Sequence, residues 1–475
     1  MPVILPLLGA IISLLLPARY NNRIAFIFML GLVVNAAWLL MHFSAQGPYQ
    51  QVMGGWTLPL GIALRIDALA IIFSMMSCVV ASVCGFYARF YLRAKQLKQF
   101  WPFFWFLLTA LNTIWLSADL FNLYVGLELL TFSAVGLVAL GQNKHALAAA
   151  LRYLFAALLG SMGYLLGIAL LYAQFGTLSL SQLSDAFSLT TTSAVALGFM
   201  FIGLMMKTAV FPLHTWLPPA HGGSLTPVSA LLSALVIKAS FYILLRLWMA
   251  LPFGENAFVI GSLMGTLGGT AIIWGSWMAL NQTQLKQIVA YSTLAQIGYF
   301  MLIFPLFSYS DPTANQYALH GGVLMLLSHA LAKAGMFLAA GNLLICTNKT
   351  DLTSLAGLSR YRPLNIFAFG LAGVSIMGLP PSGGFNGKWL LVQSALMQSK
   401  WVWLIIILLG SLLSAAYIFK VFSYTYLETK AGDKFEQPSA MLEWSALSLS
   451  VLSILLGFFS VWVLDLLTLA EMRMP

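Results

Sequence analysis

The chain has 475 residues, 60% of them hydrophobic and 8% charged, with a mean hydropathy of +0.90. A soluble globular domain of this length carries far more charge, so the composition excludes a soluble enzyme and indicates a polytopic membrane protein. The net charge of +10 is dispersed without a basic block, which excludes nucleic acid as a partner and fits orientation in a lipid bilayer.

At about 20 residues per crossing plus short loops, the length accommodates roughly fourteen helices. The first apolar run, MPVILPLLGAIISLLL, lacks a positive n-region and precedes Arg19 and Arg23. It reads as a retained span that enters with its N-terminus outward, not as a cleaved signal. Apolar runs bounded by polar or Pro/Gly punctuation then predict spans at 2–16, 24–44, 67–89, 101–117, 119–141, 146–174, 191–222, 226–249, 256–280, 286–307, 318–345, 363–399, 401–426 and 441–467. Cys78 and Cys84 share the third run and Cys346 stands apart, so the cysteines form neither a disulfide framework nor a metal spacing.

Two runs are too long for one straight crossing. Residues 191–222 would extend about 48 Å as continuous helix, against a hydrocarbon core of about 30 Å. They contain FPLHTWLPPAHGG, and 363–399 contain GLPPSGGFNGK, so spans 7 and 12 are expected to be broken. They lie five spans apart, as they would if helices 4–8 and 9–13 were two five-helix repeats. An odd-numbered repeat unit reverses topology, and paired broken helices in two inverted halves point to a transport site. The expected fold is therefore an all-α polytopic membrane protein with a single transmembrane domain. Helices 1–3 occupy 1–100, the repeats 101–249 and 256–426, and the last helix 441–467.

The basic residues orient this arrangement. With the N-terminus outside, fifteen of the 23 Lys and Arg fall in inside loops or helix ends, among them Arg19, Lys430 and Lys434. Four (Arg65, Arg246, Lys400 and Arg473) fall outside, and Lys207, Lys238, Lys333 and Lys388 lie within spans. A 15:4 bias satisfies the positive-inside rule and places both termini on the outer side of a cell (inner) membrane.

Those four intramembrane lysines carry the functional signal. Of 13 acidic residues, Glu128 in FNLYVGLELL sits well inside a span, about 14 Å along helix 5. Lys238 and Lys333 are similarly deep, and Lys207 and Lys388 adjoin the two breaks. One carboxylate and four amines are thus expected at similar depth, as a row across the bundle. Lysines near helix ends often snorkel to the headgroups, but Lys238 and Lys333 are too central for that. A buried charge must be paired or neutralised, and Glu128 satisfies one lysine at most. Groups that exchange protons at modest cost are what a proton wire needs. His329, four residues before Lys333, and His214 and His221 in the helix-7 break could bridge the lysines. Each histidine could equally hydrogen-bond exposed backbone, and Asp67 at the start of helix 3 is as readily a cap as a functional group.

No dinucleotide fingerprint, phosphate loop, CxxCH or cysteine cluster is present, so no cofactor, metal site or redox centre of its own is expected. Without a visible means of moving electrons, the chain reads as carrying an ion path.

Glu128 in YVGLELL, Lys207 in MKTAVFPLHTWLPPAH, Lys238 in SALLSALVIKA and Lys388 in GLPPSGGFNGKW together resemble a family. It comprises the antiporter-like proton-channel proteins of respiratory complex I, membrane-bound hydrogenases and Mrp-type cation/proton antiporters. The resemblance covers most of the chain, chiefly residues 100–425. It implies a fourteen-helix core with two inverted repeats and other membrane subunits as partners, with protons and Na⁺ or K⁺ as the ions concerned. It also implies that Glu128 pairs with Lys207, that Lys238 is the central relay, that His329 and Lys333 are helix-11 relay groups, and that Lys388 is the terminal lysine. An end soon after helix 14 lacks the long lateral helix of the largest complex I subunit of this type, and lysine in PPSGGFNGK resembles the Mrp D subunit or the smallest complex I member; the Mrp D reading is the first. A complex I-type or hydrogenase subunit is the alternative, and a structural scaffold subunit the third reading.

Overall fold

The computed structural model describes residues 1–58, 61–307, 311–428 and 435–472. Lys430, Lys434 and Arg473 of the charge count, and the side chain of Arg19, lie outside the described residues.

Helices α1 (Ile4–Leu15) and α2 (Ala18–Gln46) lead into a short hairpin. Its strands β1 (Tyr49–Met53) and β2 (Ile62–Ile66) are antiparallel, with Tyr49 opposite Ile66 and Met53 opposite Ile62. This hairpin departs from the all-helical expectation. Its sequence signal is the pair Gly54–Gly55, both at positive φ (+85° and +74°), which lets the chain turn after a short extended run.

Polar caps then start the long helices. Asp67 accepts from the Ala70 amide at 3.0 Å to open α3 (Ala68–Tyr91). After α4 (Ala94–Leu116), Asp119 accepts from Asn122 N at 2.8 Å to open α5 (Leu120–Ala139). Asn143 does the same for α6 (Lys144–Phe175), accepting from Ala146 N at 2.8 Å.

A short segment of about two turns, α7 (Leu180–Ala186), precedes the first break. There α8 (Thr191–Thr208) ends at Ala209 in the left-handed conformation, turns follow, and α9 (Leu217–Gly223) resumes. The Trp216 indole donates to Met206 O at 2.9 Å, which satisfies a carbonyl that the break frees. The next span was expected to be one continuous helix over 226–249. It consists instead of α10 (Thr226–Leu231), a π-turn at Leu232–Val236, and α11 (Ile237–Ala250).

The second half contains α12 (Asn256–Asn281), α13 (Leu285–Met301), α14 (Ile303–Leu306) and the 36-residue α15 (Pro312–Thr347). A 3₁₀ turn (Leu352–Leu355) and α16 (Leu358–Tyr361) lead to α17 (Pro363–Met377). It ends at left-handed Gly378, and α18 (Gly383–Met397) follows the second break. Helices α19 (Trp401–Thr425), α20 (Ala440–Phe458) and α21 (Ser460–Met472) complete the chain.

Among the described residues, eleven helical runs are long and apolar enough to cross a membrane. The α10–α11 run is buried throughout its apolar window, and α13–α14 and α15 nearly so, whereas α2 and α19 are largely exposed. Lys238 and Lys333 thus lie on the innermost helices.

The connecting segments gather into two sets. In one, Ala118 N donates to Ala63 O at 3.0 Å, Asp119 pairs with Ser179, and Ser184 donates to Ala250 O at 2.8 Å. In the other, Lys286 donates to Ser224 O at 2.9 Å, Leu285 N to Thr350 O at 3.2 Å, and Glu436 N to Cys346 O at 2.9 Å.

Candidate functional site: a row of buried lysines

Lys207, in the last turn of α8, is 6% exposed and faces α5 and α6. Its Nζ lies 3.5 Å from Glu128 Oε1 and donates to Thr131 Oγ1 at 2.8 Å and to Leu127 O at 3.5 Å. Ser161 of α6 donates to the same Glu128 oxygen. The approach of α6 to α8 depends on Gly160 and Gly203, whose backbones are in contact: a Cβ on Gly203 would collide with Gly160 O. The expected pair is present, but it is loose. Thr131 is the nearer partner of the amine.

Lys238, fully buried on α11, uses the π-turn below it. The wide turn frees the Ser233 carbonyl, and Lys238 Nζ donates to it at 3.1 Å. The same nitrogen lies 2.9 Å from His329 Nδ1 and 5.8 Å from the centroid of the Phe300 ring. A lysine–imidazole contact suits proton exchange in either direction. An ammonium donates to a bare Nδ1, and an Nδ1–H donates to a neutral amine.

Lys333, also fully buried, lies one turn beyond His329 on α15 but reaches a different helix. It donates to Val289 O at 2.9 Å and to the Ser292 hydroxyl on α13. The expected stacking of His329 with Lys333 is therefore shared between two elements, with His329 turned to Lys238.

Lys388 of α18 caps the second break. It donates to Ile376 O and Met377 O, both at 3.0 Å, the carbonyls left open where α17 stops. It also donates to Ser411 Oγ on α19 at 3.0 Å, and its Nζ sits 4.3 Å from the centroid of the Tyr299 ring. Three of the four amines thus bind backbone carbonyls with no carboxylate in contact among the described residues.

The other two candidate histidines, His214 and His221, do not join the row by hydrogen bonds among the described residues. His221 on α9 is buried with neither ring nitrogen partnered among the described residues, and it stacks on Phe337 at 4.7 Å. His214 stacks on Phe211 within the break, and its Nδ1 has no partner.

Reasoning from sequence missed Thr131 and Ser161, whose hydroxyls give no signal in an apolar helix beyond Thr131 being three residues from Glu128. It also missed the fate of Asp67 and Arg246. Besides capping α3, Asp67 accepts two bonds of 2.6 Å from Arg246 and pairs with Arg65 at 3.1 Å. Arg246, counted among the outside cations in the topology, lies near the end of α11 in a mostly buried bidentate pair. The Tyr242 hydroxyl, which accepts from Arg246, donates to Trp115 O at 2.6 Å. A cavity of about 380 Å³ opens beside this pair, lined also by Gln50, Ser181 and Asp185.

Comparison with known proteins places this geometry in a family. Residues 117–414 match the family described as NADH:quinone oxidoreductase/Mrp antiporter, TM. The N subunit of NADH-quinone oxidoreductase from Desulforudis audaxviator is 34% identical over 91% of this chain and 89% of its own length. The D subunit of the Na⁺/H⁺ antiporter from Alkalihalophilus pseudofirmus is 27% identical over 96% and 93%. Among solved structures, a chain of the archaeal membrane-bound sulfane sulfur reductase superposes with a TM-score of 0.91 at 25% identity, covering 99% of this chain and 96% of that one. A chain of the Mrp complex from Dietzia sp. gives 0.87 at 23%, covering 99% and 95%, which speaks for the fold alone. A chain of respiratory complex I from Thermus thermophilus gives 0.78 at 25%, covering 98% and 99%. This chain is a multi-pass membrane protein that belongs to the NADH:quinone oxidoreductase/Mrp antiporter transmembrane family.

Proposed function

We propose that the chain is a proton-translocating, antiporter-like subunit of a multisubunit membrane complex, and that Lys207, Lys238, His329, Lys333 and Lys388 relay the proton. One observation carries the reading: among the described residues, four buried lysines share a single contacting carboxylate, Glu128, and three of them depend on carbonyls, hydroxyls and an imidazole. Buried charges kept only for packing are normally paired with opposite charge. A proton taken up from the inside near the helix-7 break passes Lys207, Lys238 and His329/Lys333 and leaves by Lys388. His221 and His214 stand beside this route as secondary groups.

Glu128 acts as the gate. At an effective dielectric of about 20, unit charges 4 Å apart interact by about 4 kcal/mol, enough to decide whether Lys207 keeps its proton. Closing the pair stabilises the charged lysine, and opening it lets the proton move on. In this reading the chain is one domain of fourteen crossings, with inverted repeats over helices 4–8 and 9–13 and both termini outside. The two breaks, each closed by a left-handed residue (Ala209 and Gly378) with a lysine beside it, support the repeat. Lys207→Ala or Glu128→Ala should abolish proton flux in an assembled complex. Normal flux in either variant overturns the gate.

The Mrp D reading of the sequence has a counterpart in the 27%-identical antiporter relative, and the complex I-type alternative in the 34%-identical N subunit. Co-purification separates them. Iron–sulfur or flavin subunits travelling with the chain assign it to a redox-driven complex, and their absence from an intact, active complex assigns it to an ion-gradient antiporter.

A further inference from the structure

We propose that the proton passes from Lys333 to Lys388 over a bridge of hydroxyls and one amide between α13 and α19, formed by Ser292, Gln296, Tyr299, Ser411, Ser414 and Tyr417. The inference rests on the reading of the lysine row as a relay.

No hydrogen bond joins the two lysines directly, yet each ends on one of these residues. Lys333 donates to Ser292, and Lys388 donates to Ser411 Oγ at 3.0 Å. On α13, Ser292, Gln296 and Tyr299 are spaced by four and three residues, so they share one face, and all three are at most 1% exposed. Opposite them, α19 is mostly apolar and exposed. Between Trp403 and Lys420 its polar side chains are Ser411, Ser414 and Tyr417, and Ser414 and Tyr417 are fully buried. A largely exposed helix has concentrated its hydroxyls on the strip that meets the lysine row.

The contacts run inward from both ends. The Tyr417 hydroxyl donates to Ser414 Oγ at 3.1 Å and faces Ser292 and Gln296. Gln296 Nε2 reaches Ile376 O at 3.4 Å, the same carbonyl that Lys388 binds. The Tyr299 hydroxyl donates to Ile407 O at 3.0 Å and lies 3.4 Å from Ser411 Oγ, and its ring underlies Lys388. That hydroxyl has room because residue 410 is glycine: a Cβ there would lie 2.5 Å from it.

Serine in a membrane helix often does no more than return its hydroxyl to the preceding turn. Ser292, Ser411 and Ser414 do so, donating to Val289 O, Ile407 O and Gly410 O. That account leaves unexplained why Tyr417 and Gln296 are buried here with their polar ends between the two lysines. In transfer, each hydroxyl oxygen accepts one proton and releases another. Lys333 ends as a neutral amine, Lys388 as an ammonium, and the bridge is chemically unchanged. The step between Tyr417 and Tyr299 would need one water, for which Gln296, Ser414 and Ser411 supply polar partners.

The test uses the complex with its natural partner subunits in proteoliposomes, with proton flux normalised to assembled complex. Tyr417→Phe removes one oxygen and keeps the ring; combined with Ser292→Ala it should lower flux by roughly 100-fold. Ser292→Thr should restore flux lost in Ser292→Ala, and the solvent deuterium isotope effect should rise in Tyr417→Phe. Wild-type flux in the double variant overturns the bridge, as does a Ser292→Thr variant no better than Ser292→Ala. Lys207→Ala run in parallel separates the two proposals. If it is inactive while the double variant is normal, the bridge alone fails; if it is normal, the relay fails as a whole.

Discussion

Lys207 divides its three protons among Thr131, Leu127 and Glu128, and the carboxylate is not the nearest of them. A lysine held mainly by a hydroxyl can close on its carboxylate or leave it through a small side-chain motion, which is what a gate requires. Thr131→Val removes that hydroxyl at similar volume. The amine should then close on Glu128 and stay there, slowing proton flux by about tenfold for each 1.4 kcal/mol of bond lost, with roughly 1–3 kcal/mol at stake. Unchanged flux in the assembled variant would make Thr131 a bystander. At the other break, Gly378 meets two demands. Its φ of +79° costs a non-glycine residue about 1–2 kcal/mol, and a Cβ there would lie 2.6 Å from Lys388 Cδ. Gly378→Ala should lower thermal stability modestly in detergent and displace Lys388, so that flux falls much further than assembly. A variant that loses stability and flux in equal proportion would speak against a positional role for the glycine.

At the scale of the element, helix packing decides whether Glu128, Ser161 and Lys207 meet at all. The α6–α8 crossing at Gly160 and Gly203 admits no extra methyl, whereas a Cβ on Gly198, one turn earlier on α8, would meet nothing within 4 Å. Gly203→Ala should therefore prevent assembly or abolish flux, and Gly198→Ala should leave both unchanged. Equal tolerance at the two sites, measured by complex yield and flux, would remove the crossing from the account. The sequence showed the broken helices plainly, because PP, GG and a lysine within a run too long to cross once leave little choice. It also showed which lysines are buried, since burial follows from position along an apolar run. It did not show the π-turn at Leu232–Val236. SALLSALVIKA reads as an unbroken helix, and what stabilises the wide turn is a contact made across it by Lys238 on Ser233 O. Nor could it pair His329 with Lys238 over Lys333, because i,i+4 spacing fixes a face and not the neighbour that the face meets. The hairpin was hidden for a simpler reason: two five-residue strands disappear in a chain dominated by helix-length apolar runs.

At the scale of the whole molecule, the connecting segments sort into two sets bonded within themselves, as a chain that crosses back and forth demands. One set contains Ser179, Ala250 and Ala63, and the other Ser224, Thr350 and Cys346. Hydrogen bonds alone give no direction, because the same fold could be inserted either way up. Direction comes from charge. The set with Ser224 and Thr350 also carries Lys144, Lys286, Lys349, Arg360 and Arg362, and cytoplasmic loops retain such an excess. A labelling experiment tests this cleanly, because Cys78, Cys84 and Cys346 are all buried and react slowly with a bulky reagent. In intact cells a membrane-impermeant maleimide should label Ser188→Cys and Glu255→Cys, both exposed in the other set, and spare Lys144→Cys and Lys349→Cys until the membrane is opened. The reverse pattern would invert the molecule and with it the inward intake proposed near Lys207. A mixed pattern within one set would mean that a span has been miscounted, and that the two broken helices do not occupy corresponding places in the repeats.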